Sequence, residues 1–178
     1  MSAASSSDRA AAAGQGVLSG GLLGVEKESH VPQQEARVVV GIDGSAQSKE
    51  ALRWAVRMAE LNDAAIDAVT VWEMPTSYGW AIAAEDWNPE QDASKVLSDT
   101  IDEVLDGHGP SGLRQLVRRG NAAKVLLDES KDAQMLVVGS RGHGGFSGLL
   151  LGSVSAPCAE HARCPVLVVH GSQASTTL

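Results

Sequence analysis

The chain has 178 residues, 43% hydrophobic and 20% charged, enough for one domain with a sizeable core. A net charge of −8 argues against a nucleic-acid or anionic-membrane surface as the main partner, and an aromatic content of 3% argues against a base-stacking platform for single strands. No run is long and apolar enough to span a membrane, and the N-terminus lacks the basic start of a signal peptide. The two cysteines, Cys158 and Cys164, lie too close for a useful bridge and read as reduced thiols of a cytoplasmic protein. With His161 they fit no common zinc spacing, so they are taken as small packing residues rather than metal ligands.

Residues 1–35 are rich in Ala, Ser and Gly without a sustained period and read as a flexible extension, with a short docking segment conceivable around Val17 to Val25. The domain is assigned to residues 36–170. It begins with a β-branched run, Arg37 to Ile42, closed by the turn Asp43-Gly44-Ser45. A helix follows, capped by Ser45 or Ser48, with Glu50 expected in its first turn and Ala51, Trp54, Ala55 and Met58 on its core face. The second strand is read as Ala65 to Trp72. A polar connection from Glu73 to about Gln91 is long enough to form a lid or part of an interface, or its tryptophans cover the sheet edge.

Val96, Leu97, Ile101, Val104 and Leu105 mark the next helix, stopped by Gly107 and Gly109. Leu113 to Arg119 alternates like a half-exposed edge strand and ends at Gly120. Asn121 caps a short helix, and Ala133 to Val138 forms a fourth strand. After a glycine-rich loop, a helix is expected from Ser153 to about Ala162, then a final strand, Cys164 to Val169. Residues 171–178 read as a flexible tail.

Strands alternating with helices predict an α/β fold with one doubly wound, five-stranded parallel sheet, Rossmann-like, with helices on both faces; its order is taken as 3-2-1-4-5. The order would reverse between the first and fourth strands, where ligands bind beyond the strands' carboxyl ends. Asp43 and Gly139 would meet there. The stretch from Gly139 to Ser155, GSRGHGGFSGLLLGSVS, suits phosphate: glycines allow close backbone approach, and a helix start supplies unpaired N–H groups. It fits neither the Walker A pattern nor the dinucleotide fingerprint.

Gly139, two residues, Gly142, nine residues, then Gly152-Ser153 resembles the nucleotide-binding signature of the universal stress protein family. The turn Gly41-Ile42-Asp43-Gly44-Ser45, Val71 near the end of the second strand and the ending Cys164 to Val169 strengthen the likeness, which runs from Arg37 to His170 and is bacterial, actinobacterial-looking. The resemblance implies membership of the ATP-binding subgroup, with or without Mg on the phosphates. Carried over, it implies that Asp43 bonds the ribose or helps hold the adenosine end. Gly41 and Ile42 would offer backbone groups to the adenine, and Val71 would pack against or bond the base. Val138 would touch the base, and Gly139 and Gly142 would let the loop pass close to ribose and phosphates. Gly152, Ser153, Val154 and Ser155 would bind the phosphates. Ser140 and Arg141 lie in the loop, and Arg141 either approaches the phosphates or points to solvent. His143 has the loop position of a catalytic group but reads more simply as a solvated histidine.

Phosphoryl transfer needs charge neutralisation and a positioned nucleophile. No P-loop lysine, metal-dedicated acid pair or triad spacing is present in the sequence. The expectation is therefore a nucleotide-dependent regulator or stress-response protein with slow or no hydrolysis, not an enzyme. The alternatives are an ATP-independent dimeric scaffold and a nucleotide-dependent enzyme, an ATPase or adenylyl transferase. The resemblance further implies a homodimer paired through the last strand.

Overall fold

The computed structural model describes residues 35–74, 88–143 and 150–171. The expectations for residues 1–34, for most of the long connection after Glu73, for Gly144, Gly145 and Gly148, and for the tail beyond Gly171 lie outside the described residues. Nine elements follow in order: β1 (Arg37–Gly41), α1 (Ala46–Asn62), β2 (Ala65–Trp72), α2 (Pro89–Leu105), β3 (Leu113–Arg119), α3 (Ala122–Glu129), β4 (Met135–Gly139), α4 (Ser155–His161) and β5 (Val166–Val169). All neighbouring strands pair in parallel, as the alternation of elements predicted, and the sheet order is β3-β2-β1-β4-β5, the order assumed for the sequence.

The β-branched run of β1 is buried on both faces because helices cover both sides of the sheet. Val38 and Val40 pack with Leu52 and Ala55 of α1 and Leu97 and Ile101 of α2. Val39, between them, points the other way, into a cluster with Leu126 of α3, Cys158 of α4, and Leu136 and Val138 of β4. This is the period of two expected of a strand. Each such side chain contributes about 1.5–3 kcal/mol when fully buried. Burial pushes the Cys158 thiol up to about 11, which makes it a packing residue without thiolate chemistry.

The helix ends are set by local chemistry. Ser45 caps α1: its hydroxyl accepts the Ser48 N–H at 3.2 Å. The helix therefore starts at Ala46, and Glu50 falls beyond the first turn, where it pairs with Arg53 at 3.0 Å. The buried stripe of α1 is Ser48, Ala51, Leu52, Ala55 and Ala59; Trp54 and Met58, expected at its centre, flank it half-buried. Helix α2 starts earlier than its apolar residues suggested. Asn88 accepts the Gln91 N–H, Pro89 occupies the first turn, and Glu90 and Asp92 meet the positive end of the helix dipole. Val96, one of the apolar residues that marked this helix, is 37% exposed.

Strands β4 and β5 begin at Met135 and Val166, later than expected; Pro165 has no N–H to give the ladder and instead accepts from Leu136 at 2.9 Å. Edge strand β3 carries Arg114, Arg118 and Arg119. Arg114 reaches across to Asp67 of β2, Arg118 bonds Glu129, and Arg119 stacks over Trp72 with 5.3 Å to the ring centroid. No helix among the described residues is long and apolar enough to cross a membrane.

Candidate functional site

The reversal of strand order leaves a crevice at the carboxyl ends of β1 and β4, and the site is built there. Its cavity measures about 460 Å³, within the usual range for a small-molecule site. Its floor is apolar: Val69 and Val71 of β2, Val138 of β4, and Ala122 and Leu126 on one face of α3. Gly41 adds no side chain here, and a β-carbon at that position would lie 3.0 Å from Leu126 Cδ1. The floor is thus a slot for a flat, largely apolar group.

Polar groups line one wall. The β1–β2 register ends at Gly41↔Val69, so the main chain of Val71 lies beyond the last rung on that side. Ile42 is different. Its N–H donates to Val69 O at 2.8 Å and its carbonyl accepts from Thr70 Oγ1 at 3.0 Å, so it has no free donor to offer.

Asp43 follows at the turn. Its Oδ1 accepts from the Ser45 hydroxyl at 2.6 Å and from the Ser45 N–H at 3.0 Å. Burial works against its charge, but these bonds from Ser45, helped by Ser48 and His143, hold the carboxyl below the usual range. It is an anchored anion in the cavity lining, and His143 Nδ1 stands 3.9 Å from its Oδ2.

The glycine loop closes the site. At Gly139 a β-carbon would lie 2.8 Å from Gln47 Cβ and 3.0 Å from its main-chain carbon, so that position requires glycine on steric grounds; at Gly142 one would overlap Asp43 Oδ2 and displace that carboxylate. Gly152 is held otherwise: its N–H donates to Ser140 O at 2.8 Å, and a β-carbon there would meet only ordinary contacts of 3.5 Å or more. Ser155 stitches the loop. Its hydroxyl donates to Ser140 O at 2.8 Å and accepts the Gly152 N–H at 2.9 Å.

Helix α4 consequently begins at Ser155 instead of Ser153, with Val154 as a cap that makes no side-chain bond. The N–H groups of Ser153, Val154 and Ser155 have no acceptor among the described residues, and all three residues line the cavity. Three unpaired donors in succession suit an anion.

Of the residues singled out in the sequence, Gly41, Ile42, Asp43, Val71, Val138, Gly139, Arg141, Gly142, Gly152, Ser153, Val154 and Ser155 meet at this one cavity. Ser140 does not line it: its N–H continues the sheet to Val169 O at 2.7 Å, and the residue is 1% exposed. Sequence reasoning missed Val69, Ala122, Leu126, Leu151 and Ser48. A signal was available for three of them. Val69 shares the face of Val71 at a spacing of two, and Ala122 and Leu126 are four apart on a helix.

The sequence pattern of the Universal stress protein family matches residues 36–170. A universal stress protein of Mycolicibacterium smegmatis is 37% identical over 147 residues, covering 77% of this chain and 49% of the relative. One from Mycobacterium tuberculosis is 34% identical over 149 residues, covering 83% and 50%. The chain thus spans about half the length of the curated relatives it matches. A crystal structure of a universal stress protein in complex with cAMP superposes with a TM-score of 0.59 at 27% identity, covering 77% of this chain and 98% of that one. Fold, signature and relatives agree: the chain belongs to the universal stress protein family.

Proposed function

We propose that the chain binds an adenine nucleotide, with ATP as the working ligand, in the crevice between β1 and β4, and that it acts as a nucleotide-dependent regulator with slow or no hydrolysis. One observation carries the reading: a single cavity holds an apolar slot, an anchored carboxylate and three N–H groups in a row that have no acceptor among the described residues. These match a base, a ribose and a phosphate chain in that order. The base lies between Val71, Val138 and Leu126, and Val71 offers main-chain groups to its edge. Asp43 accepts a ribose hydroxyl through Oδ2. The phosphates take the N–H groups of Ser153, Val154 and Ser155, with Arg141 beside them. The relative solved with cAMP supports an adenine nucleotide as the ligand class.

The lining of the cavity supports slow turnover. Its charged or titratable side chains are Asp43, Arg141 and His143. Asp43 would be a lone protein ligand for Mg carried in on the phosphates, and Ser45 already occupies its other oxygen. There is no lysine to neutralise a leaving group and no second carboxylate to hold a metal among these residues. The test is to purify the protein without added nucleotide, denature it, and separate the supernatant against ATP, ADP and AMP standards. Near-stoichiometric ATP is the expected result. ADP or AMP in its place points to hydrolysis or transfer, and an empty protein that also fails to take up ATP supports the scaffold reading.

We also propose a homodimer through β5, in the cytoplasm. β5 is an edge strand of four uncharged apolar residues, whereas the opposite edge, β3, is lined with arginines that discourage pairing. The two free cysteines fit a reducing compartment. Light scattering at micromolar concentration should return twice the chain mass, and a monomer would contradict the pairing.

A further inference from the structure

Asp43 and His143 both line the nucleotide cavity, with His143 Nδ1 3.9 Å from Asp43 Oδ2. One follows β1 and the other follows β4, so the reversal of strand order brings them together. Glycines on each side make the approach possible. Gly142, just before His143, has no β-carbon to push the carboxylate aside. Gly44, just after Asp43, takes φ 82°, and the place its β-carbon would occupy is 3.6 Å from His143 Cε1. The imidazole therefore rests beside bare main chain. Val96 Cγ1 and Thr100 Oγ1 of α2 reach the same place, at 3.1 Å and 3.9 Å, and back the turn.

A separation of 3.9 Å is too long for a direct hydrogen bond and suits one oxygen held between the two groups. An oxygen about 2.8 Å from each would make an angle of about 90° between them. The two sides offer complementary chemistry. An ionised carboxylate only accepts, and both hydrogen bonds from Ser45 go to Oδ1, not Oδ2. A neighbouring carboxylate favours the imidazole form with its proton on Nδ1, which donates. A hydroxyl group does both, so it is the group that satisfies this pair.

We propose that His143 and Asp43 clamp a single ribose hydroxyl, and that His143 thereby sets a preference for nucleotides that carry it. The hydroxyl donates to Asp43 Oδ2 and accepts from His143 Nδ1. This rests on the adenine-nucleotide reading and goes beyond it, because Asp43 alone meets only the donor half of a hydroxyl. A site built to hydrogen-bond a hydroxyl is left with unpaired groups when the ligand lacks it, and discriminates steeply when those groups are buried. Here the side chains of His143 and Asp43 are 70% and 46% exposed, so water partly meets the loss and the discrimination should be about tenfold.

The experiment is calorimetric titration of the full chain, His143→Phe and His143→Asn with ATP, 2′-deoxy-ATP and 3′-deoxy-ATP. Buffer free of divalent cations removes a metal on Asp43 as a cause of any difference. Phe keeps a flat ring without nitrogens, whereas Asn keeps a donor near the place of Nδ1. The unaltered chain should bind one of the two deoxy analogues about tenfold more weakly than ATP. His143→Phe should weaken ATP by about the same factor and leave that analogue unaffected, so that the preference disappears, the non-additivity of groups in contact. His143→Asn should retain the preference. If ATP binds but neither analogue is weaker, if His143→Phe keeps the full preference, or if His143→Asn loses it as His143→Phe does, the clamp is overturned while the adenine-nucleotide reading stands. If the folded, unaltered chain binds none of the three, both fall together.

Discussion

Asp43→Ala should lower the affinity for ATP about 10–100-fold, and Gly142→Ala should do nearly as much without touching the nucleotide itself. A charge-assisted hydrogen bond contributes about 1.5–3 kcal/mol, and about 1.4 kcal/mol is tenfold in binding. Asp43 is held ready for that bond by Ser45, so little ordering remains to be done when the ligand arrives. Gly142 matters because it leaves room for the Asp43 carboxylate; a β-carbon there would overlap Oδ2 and force the side chain off its Ser45 contacts.

The two losses therefore share one cause. The double variant should bind little worse than Asp43→Ala alone, a strong departure from additivity between neighbours. Losses that simply multiply would show that Gly142 acts elsewhere, for instance on the phosphate loop. Thermal unfolding of each variant without ligand separates binding from folding. Both should remain folded, because Asp43 is half-exposed and lies outside either apolar cluster.

The largest loss of stability is expected at Asp67, at the other end of the sheet. Its carboxylate is 2% exposed and accepts from Arg114 Nε at 2.6 Å and Nη2 at 3.0 Å, and from Arg37 Nη1 at 2.9 Å. Removing one partner of a buried ion pair typically costs about 3–5 kcal/mol, because the other charge is stranded. Here Arg37 and Arg114 are 22% and 49% exposed and can turn to water, so Asp67→Ala should cost about 3 kcal/mol. Urea unfolding of the two proteins reads this directly.

The same group gives a pH dependence. Burial raises the carboxyl's pKa, but bonds and charges from Arg114 and Arg37 outweigh it and leave the group below its ordinary value. A carboxyl depressed in the folded state stabilises the fold fully above its unfolded pKa, about 3.9, and that contribution is lost as pH falls through the lower folded value. Acid unfolding of the unaltered chain should therefore steepen below about pH 4, and in Asp67→Ala that part of the curve should be absent. An unchanged acid limb would assign the effect to other carboxylates.

The ends of β2 and β3 were legible in the sequence because alternation runs into clear stops. Trp72 gives way to a polar connection, and Gly120 takes φ 136°, a conformation that favours glycine. The start of α2 was legible too, in Asn88-Pro89 and the acids after it, but the tryptophans and prolines nearby favoured a loop reading. The Ser155 stitch was not legible. It joins Ser155 to Ser140, 15 residues away, and only the folded loop brings them together. Its consequence, a helix starting two residues late and a Gly152 N–H already engaged, follows from that one tertiary contact. Ser140 was misassigned for a similar reason: it reads as loop by composition, yet its N–H extends the pairing with β5 and the residue lies away from the nucleotide cavity.

Calorimetric titration of ATP into nucleotide-free protein tests the central claim most directly. One saturable site per chain is predicted, competed by AMP, and weakened at least tenfold in Asp43→Ala by loss of one charge-assisted bond. Saturable binding that Asp43→Ala leaves unaltered, or no binding at all to protein that is demonstrably folded, would contradict a nucleotide site at the reversal between β1 and β4.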